Sequence, residues 1–238
     1  MLIGKGTIRI AFIAMSMVLL AGCHEQPQSS TPASESNTKE PSDMRTVIPL
    51  VRRLAPDETG PIELEFEVPA WKDNPAPPLF IGVRLVNVDP ASAYDGDSTA
   101  VSEAARRLQD AGVSAEVHLY RIQGTNQAEV SLRKSEWTSE SGPPTVVDSA
   151  VPTDGVVKGL TPADADIQTL EAAGLLPADS TYRQFAKYHE LEFAYASSVP
   201  NGRYRATIRF VKGGDALSKE NPELIRSELI IAYPRQAK

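Results

Sequence analysis

Few side chains in this sequence have both the type and the spacing that chemistry demands. Beyond residue 45 the chain carries two histidines, His118 and His189. His189-Glu190 begins like the His-Glu-x-x-His zinc motif, but the fourth residue after His189 is Phe193. The second ligand is missing, and the stretch alternates like a strand, whereas that motif needs a helix to bring both imidazoles to one face. His118 reads as a surface or sheet-packing residue opposite Val117 and Leu119. Asp95 and Asp97 flank Gly96 in a loop, with neither the ligand count nor the spacing of a calcium loop. Glu63, Glu65 and Glu67 would stand about 6.5–7 Å apart along one strand face, a separation compatible with paired-carboxylate glycoside chemistry. They come from one element, however, and read better as a solvated face. The chain has no Gly-x-Ser-x-Gly elbow and no phosphate-binding Gly-rich loop, so the expectation is no catalytic residue, no metal site and no cofactor.

Two groups suit binding instead. Arg203, Arg205 and Arg209 form a basic stripe, able either to pair with acidic neighbours across a sheet or to meet an anionic partner such as lipopolysaccharide phosphate or an acidic protein. Trp71 and Trp137, both expected in loops, could stack on a sugar, anchor a protein interface or plug an end of the fold.

The remaining reactive side chain is Cys23, the sole cysteine. Lys5 and Arg9 precede an apolar run from Ile10 to Leu20, too short for a membrane span of about 20 residues and suited to an export signal. Leu20-Ala21-Gly22-Cys23, which closes the run, resembles the lipobox of bacterial lipoprotein precursors. That resemblance implies cleavage between Gly22 and Cys23, with acyl chains carried on the Cys23 thiol. It also implies two or three chains, enough for stable anchoring where one chain binds only marginally. His24, not Asp, follows the cysteine, which by the same resemblance implies the periplasmic face of the outer membrane.

Cleavage would leave 22 Lys and Arg against 31 Asp and Glu, a net charge of −9. Such an acidic chain is not built to neutralise phosphates, so nucleic acid is excluded as a general partner. A single cysteine precludes an intramolecular disulfide. Residues 23–45 are rich in Pro, Ser, Thr, Glu, Gln and Asn and predict a disordered tether with a reach of about 25 Å. Residues 46–238 then predict one β-rich domain, with residues 1–22 as the signal peptide.

Within that domain Ile62–Val68 alternates strictly, as a half-buried strand does. Leu79–Val88 is apolar on both faces and predicts a central strand. Helical spacing takes over at Val101, Ala104, Ala105, Leu108 and Ala111, between Ser98 or Thr99 and Gly112. Further strands are expected around Val113–Leu119, Ala128–Leu132, Leu191–Tyr195, Tyr204–Phe210 and Leu229–Tyr233, and one near Val156. Gly124–Gln127 predicts a hairpin loop, as does Pro200-Asn201-Gly202. Thr161-Pro162-Ala163-Asp164 reads as a helix start, and a further short helix is expected after Ser180.

The pattern predicts an antiparallel β-sandwich with two or three short helical insertions; the alternative is a mixed α+β sheet packed by the 99–111 helix. The Gly202-Arg203-Tyr204 strand start and the closing strand near Tyr233 resemble immunoglobulin-like accessory domains of envelope lipoproteins. The functional expectation is a lipid-anchored envelope binding or accessory protein engaging an envelope or secretion-system protein. In organisation it is similar to immunity lipoproteins. A carbohydrate- or lipopolysaccharide-binding module and an envelope hydrolase are the alternatives.

Overall fold

In the computed structural model, residues 45–55, 58, 60–71, 75–88, 99–138, 145–176, 188–219 and 224–235 are described. They fall within one compact unit, Lys39–Lys238. The expected signal peptide, the tether up to residue 44, the Asp95/Asp97 loop and the helix after Ser180 lie outside the described residues; Arg45, the tether's last residue, donates to the Pro49 and Ala173 carbonyls.

The large sheet runs in the order β1 (Leu50–Arg53), β12 (Ile225–Ala232), β3 (Leu79–Asn87), β10 (Tyr188–Ala196), β6 (Arg133–Thr138), β7 (Thr145–Ala150). A short β9 (Thr161–Ala163) shares the β6 side of β10. The smaller sheet runs β2 (Ile62–Val68), β11 (Gly202–Lys212), β4 (Ser114–Gln123), β5 (Asn126–Glu129), with β8 (Val156–Lys158) also paired to β4. Every pairing between these strands is antiparallel. Three short helices, α1 (Thr99–Asp110), α2 (Ile167–Ala172) and α3 (Gly214–Lys219), complete the described elements. This is the antiparallel β-sandwich with helical insertions; the mixed α+β alternative is not adopted.

The two-residue side-chain period explains the core. Leu79, Ile81, Val83 and Leu85 of β3, with Leu191 and Phe193 of β10, meet Phe66, Val117, Leu119, Ala206 and Ile208 from the smaller sheet in one buried cluster. The apolar stripe of α1 (Val101, Ala104, Ala105, Leu108) joins it. A second cluster covers the opposite face of the large sheet. There Val51, Phe80, Ile230 and Ala232 pack against Ala165, Leu170, Leu175 and Leu176. The β1–β12–β3–β10 part of the large sheet is thus covered on both faces, and every residue of β3 is buried. Such double coverage favours the apolar run seen in β3. It also buries whatever charged residues share that second face.

Three local expectations are corrected. Thr161–Ala163 is strand β9, where Pro162 stands opposite Leu191. A proline lacks the N–H that a central strand must donate, and a short side strand tolerates it. The helix instead begins at Ile167, capped by Asp166, whose Oδ1 accepts from the Thr169 N–H at 2.8 Å. Pro200-Asn201-Gly202 does reverse the chain, with Gly202 at φ 146°, but it is no hairpin. It passes from β10 in one sheet to β11 in the other. Trp137 lies in β6 opposite Val146, not in a loop.

Candidate functional site

The second face of the large sheet carries a row of charged side chains set by strand register. Glu190 of β10 stands opposite Arg84 of β3, and Arg84 stands opposite Glu228 of β12. Arg84 donates through Nε at 2.8 Å and approaches through Nη2 at 2.7 Å the same Glu228 Oε2, and its Nη1 donates to the Leu175 carbonyl at 3.2 Å. The Tyr188 ring lies under the guanidinium, 5.1 Å from its carbon. Arg226 Nε donates to the other Glu228 oxygen at 2.8 Å. Glu228 is therefore fully partnered, as a buried carboxylate has to be.

Glu190 is not. It is 8% exposed, and burial pushes its carboxyl up to about 7; Arg84 offsets part of that rise, and Asp164 adds to it. Its own backbone N–H is the hydrogen-bond donor it has among the described residues. Two residues along, Glu192 shares the face and is likewise raised to about 7, by burial first and then by Asp148. The Ser135 N–H donates to it, while its Oε1 has no hydrogen-bond partner among the described residues.

A cavity of about 280 Å³ opens where β9 stops pairing with β10. Asp164, Tyr188, His189, Glu190, Arg235 and Ser102 are among the residues that line it. Backbone bonds fix this arrangement. The Arg235 N–H donates to the Asp164 carbonyl at 2.7 Å, and the Asp166 N–H donates to the Tyr233 carbonyl at 2.8 Å. The C-terminal strand end is thereby laced to the segment after β9, with a bridge between Ala165 and Pro234. Burial lowers the His189 pKa, opposed by Asp164. His189, Glu190, Asp164 and Arg235 therefore line one small space, His189 and Glu190 from opposite faces of β10. Such convergence of polar groups and shifted pKa values on a cavity is what marks a binding or reactive site.

The residues singled out from sequence are placed elsewhere. Arg203 and Arg205 both reach Glu65, Arg203 Nη2 at 3.3 Å and Arg205 Nη2 at 2.5 Å. Their hydrogen bonds, Arg205's above all, hold the Glu65 carboxyl below its usual range. Arg209 bonds Glu116, with Nε at 3.0 Å. His118 bridges Glu129 (Nδ1, 2.9 Å) and Glu116 (Nε2, 3.4 Å) on the same sheet. The arginine stripe is thus paired within the molecule. Trp71 tilts against Tyr233, ring centroids 5.2 Å apart. Trp137, 60% exposed, lies on the β6–β7 hairpin beside Val146 and Val147, which are each half exposed. Gly22 and Cys23 lie outside the described residues. Among the described residues no cluster of three or more His, Cys, Asp or Glu side chains is arranged to hold a metal. No described helix is long and apolar enough to cross a membrane.

Sequence reasoning missed Glu190, Glu192, Asp164 and Arg235. One signal was present: Arg84 is the lone charge inside the apolar run Leu79–Val88, and a charge on a doubly buried strand calls for buried partners. No protein-family model, curated protein or solved structure matches this chain.

Proposed function

We propose that this chain is a lipid-anchored binding or accessory protein of the bacterial cell envelope. Acyl chains on Cys23 hold it at a membrane, at the periplasmic face of the outer membrane by the lipobox reading. The folded domain docks an envelope or secretion-system protein and performs no catalysis in doing so. The observation that carries the docking reading is the β6–β7 hairpin. Among the described residues β7 ends the large sheet, all six of its residues are exposed, and Trp137, Val146 and Val147 present large apolar side chains there. An edge strand offers a row of unused N–H and C=O groups, and proteins normally blunt such edges with proline, lysine or short length. β7 (Thr-Val-Val-Asp-Ser-Ala) has neither proline nor lysine. It suits a partner that contributes an extended strand, with main-chain bonds giving affinity and Trp137 an aromatic anchor.

The test is recovery of partners from detergent-solubilised envelope with the mature, acylated protein as bait. The proposal expects one stoichiometric protein, lost with Trp137→Ala and kept with Arg203→Ala. Cys23→Ser should shift the protein out of the detergent phase and remove acyl label. Recovery of glycan or lipopolysaccharide without protein would contradict the docking reading. Unchanged acyl label in Cys23→Ser would contradict the anchor.

A further inference from the structure

The cavity at the start of β10 stands apart from the docking edge and is built for something smaller. Its volume, about 280 Å³, lies at the lower end of the range for small-molecule pockets, roughly 300–1,000 Å³. It therefore fits a molecule of amino-acid size better than a disaccharide. The charges of its wall are mixed: Asp164 and Glu190 against Arg235, with His189 between them in sequence and held toward its neutral form by burial.

The fold leaves one of these charges buried with little support and another exposed without an ion pair among the described residues. Glu190 is more than nine-tenths buried on the cavity wall, with no side-chain hydrogen-bond donor among the described residues. Arg84 is the cation opposite it in register, but that guanidinium is committed to Glu228 and to the Leu175 carbonyl. Arg235 forms no ion pair among the described residues; only its backbone N–H is engaged, with the Asp164 carbonyl. A buried carboxyl whose donor is its own backbone N–H gains from a further one. Arg235 is exposed, so its guanidinium stays solvated and available to a ligand at the cavity.

We propose that this cavity binds a small zwitterion of amino-acid type. Its protonated amine sits between Asp164 and Glu190, and its carboxylate lies on the Arg235 guanidinium. A ligand with only an amine would leave Arg235 unanswered, and one with only a carboxylate would meet two acids. The zwitterion answers both and adds no net charge. Planar fork-to-carboxylate pairing is the geometry at which arginine excels.

Binding exchanges one cation for another. In the empty cavity Glu190 tends to hold a proton; an arriving ammonium takes its place, and the proton leaves to solvent. Other charged or titratable groups near Glu190 are Arg84 of β3, Glu228 of β12, Asp164 after β9, and Tyr188 and His189 of its own strand. Burial raises the Glu190 carboxyl to about 7. Affinity should therefore rise with pH, by up to about tenfold per unit below neutrality, and level off above it.

Equilibrium dialysis of the mature full-length protein in detergent, against a mixture of common amino acids at pH 8, tests this. The expected result is saturable retention of at least one amino acid at one site per chain. Its N-acetyl derivative, lacking the positive amine, should not bind, and its amide, lacking the carboxylate, should bind about tenfold or more weakly. Glu190→Gln should weaken binding about tenfold or more and flatten the pH profile between 6 and 8. Arg235→Gln, whose side chain holds no structural ion pair, should reduce the free acid's affinity to that of the amide. Retention of no amino acid would overturn the proposal. So would equal binding of free and N-acetylated forms, or binding indifferent to both substitutions.

Discussion

The two buried glutamates of β10 make a quantitative claim about stability. Glu190 and Glu192 are each raised from an ordinary 4.5 to about 7, burial being the leading cause in both. Between those values the folded chain holds protons that the unfolded chain has released. Stability must therefore fall as pH rises through this window, the reverse of a salt-bridged carboxylate. A shift from 4.5 to about 7 corresponds to about 3 kcal/mol for each group over the whole window. Between pH 5 and 8 the pair should remove about 5 kcal/mol, a large share of a domain's net stability of about 5–15 kcal/mol. His189 acts in the opposite sense. Its folded pKa lies below 6.5, so below that pH the unfolded chain binds its proton more readily, and His189 adds stability as pH rises toward 6.5. The measurement is urea unfolding of the mature protein at several values from pH 5 to 8, in the parent and in a His189→Gln background. The background variant should show the steeper fall, and Glu190→Gln with Glu192→Gln should flatten it. Stability that rises or stays level from pH 5 to 8 in the His189→Gln protein would refute the reasoning.

Other expectations follow from single contacts. Glu228→Leu strands Arg84 and should cost about 3–5 kcal/mol, whereas Arg84→Met/Glu228→Leu should recover most of it. Urea unfolding at pH 6 would show this, since Glu190 is then largely protonated and does not need Arg84. Gly82→Ala would place a Cβ 2.0 Å from the Leu191 carbonyl oxygen, at the bulge in β10. The obstacle is backbone, so the loss should be about 3 kcal/mol or more, read as a lowered unfolding midpoint. Tyr204 is buried and donates its hydroxyl to the Pro200 carbonyl at 2.6 Å. It closes the passage between sheets much as a tyrosine corner does. Tyr204→Phe should cost about 1 kcal/mol without changing the fold, by the same assay.

What was legible in the sequence follows the range over which each signal acts. Alternation in Ile62–Val68 and the helical spacing of 99–110 are local, and the structure has both elements where those patterns put them. The Pro200-Asn201-Gly202 turn was legible as a reversal, but turn chemistry does not say which strand becomes the neighbour. Here the chain changes sheet. Asp166 caps α2, five residues after the Thr161 start that the same capping rules suggested, because Pro162 suits a strand side as well as a first helical turn. The cavity groups were hidden for a different reason. In Tyr-His-Glu-Leu-Glu-Phe, the glutamates occupy the face that a half-covered strand turns to water. Among the described residues α2 and the Leu175–Leu176 segment pack on that face of the sheet, and β9 flanks β10 there. No periodicity within β10 reports what lies above it. The arginine stripe shows the converse: type and spacing were plain, and pairing with Glu65 and Glu116 depends on the register of β11 against β2 and β4.

The proposed docking of an envelope protein along β7 is tested most directly by placing a photo-cross-linking residue at Val147 of the full-length chain and irradiating intact cells. Val147 is half exposed on the edge strand. The account predicts one discrete adduct with an envelope protein, abolished by Trp137→Ala and absent when the same residue replaces Glu63 on the far sheet. No adduct at position 147, or the same adducts from both positions, would contradict it.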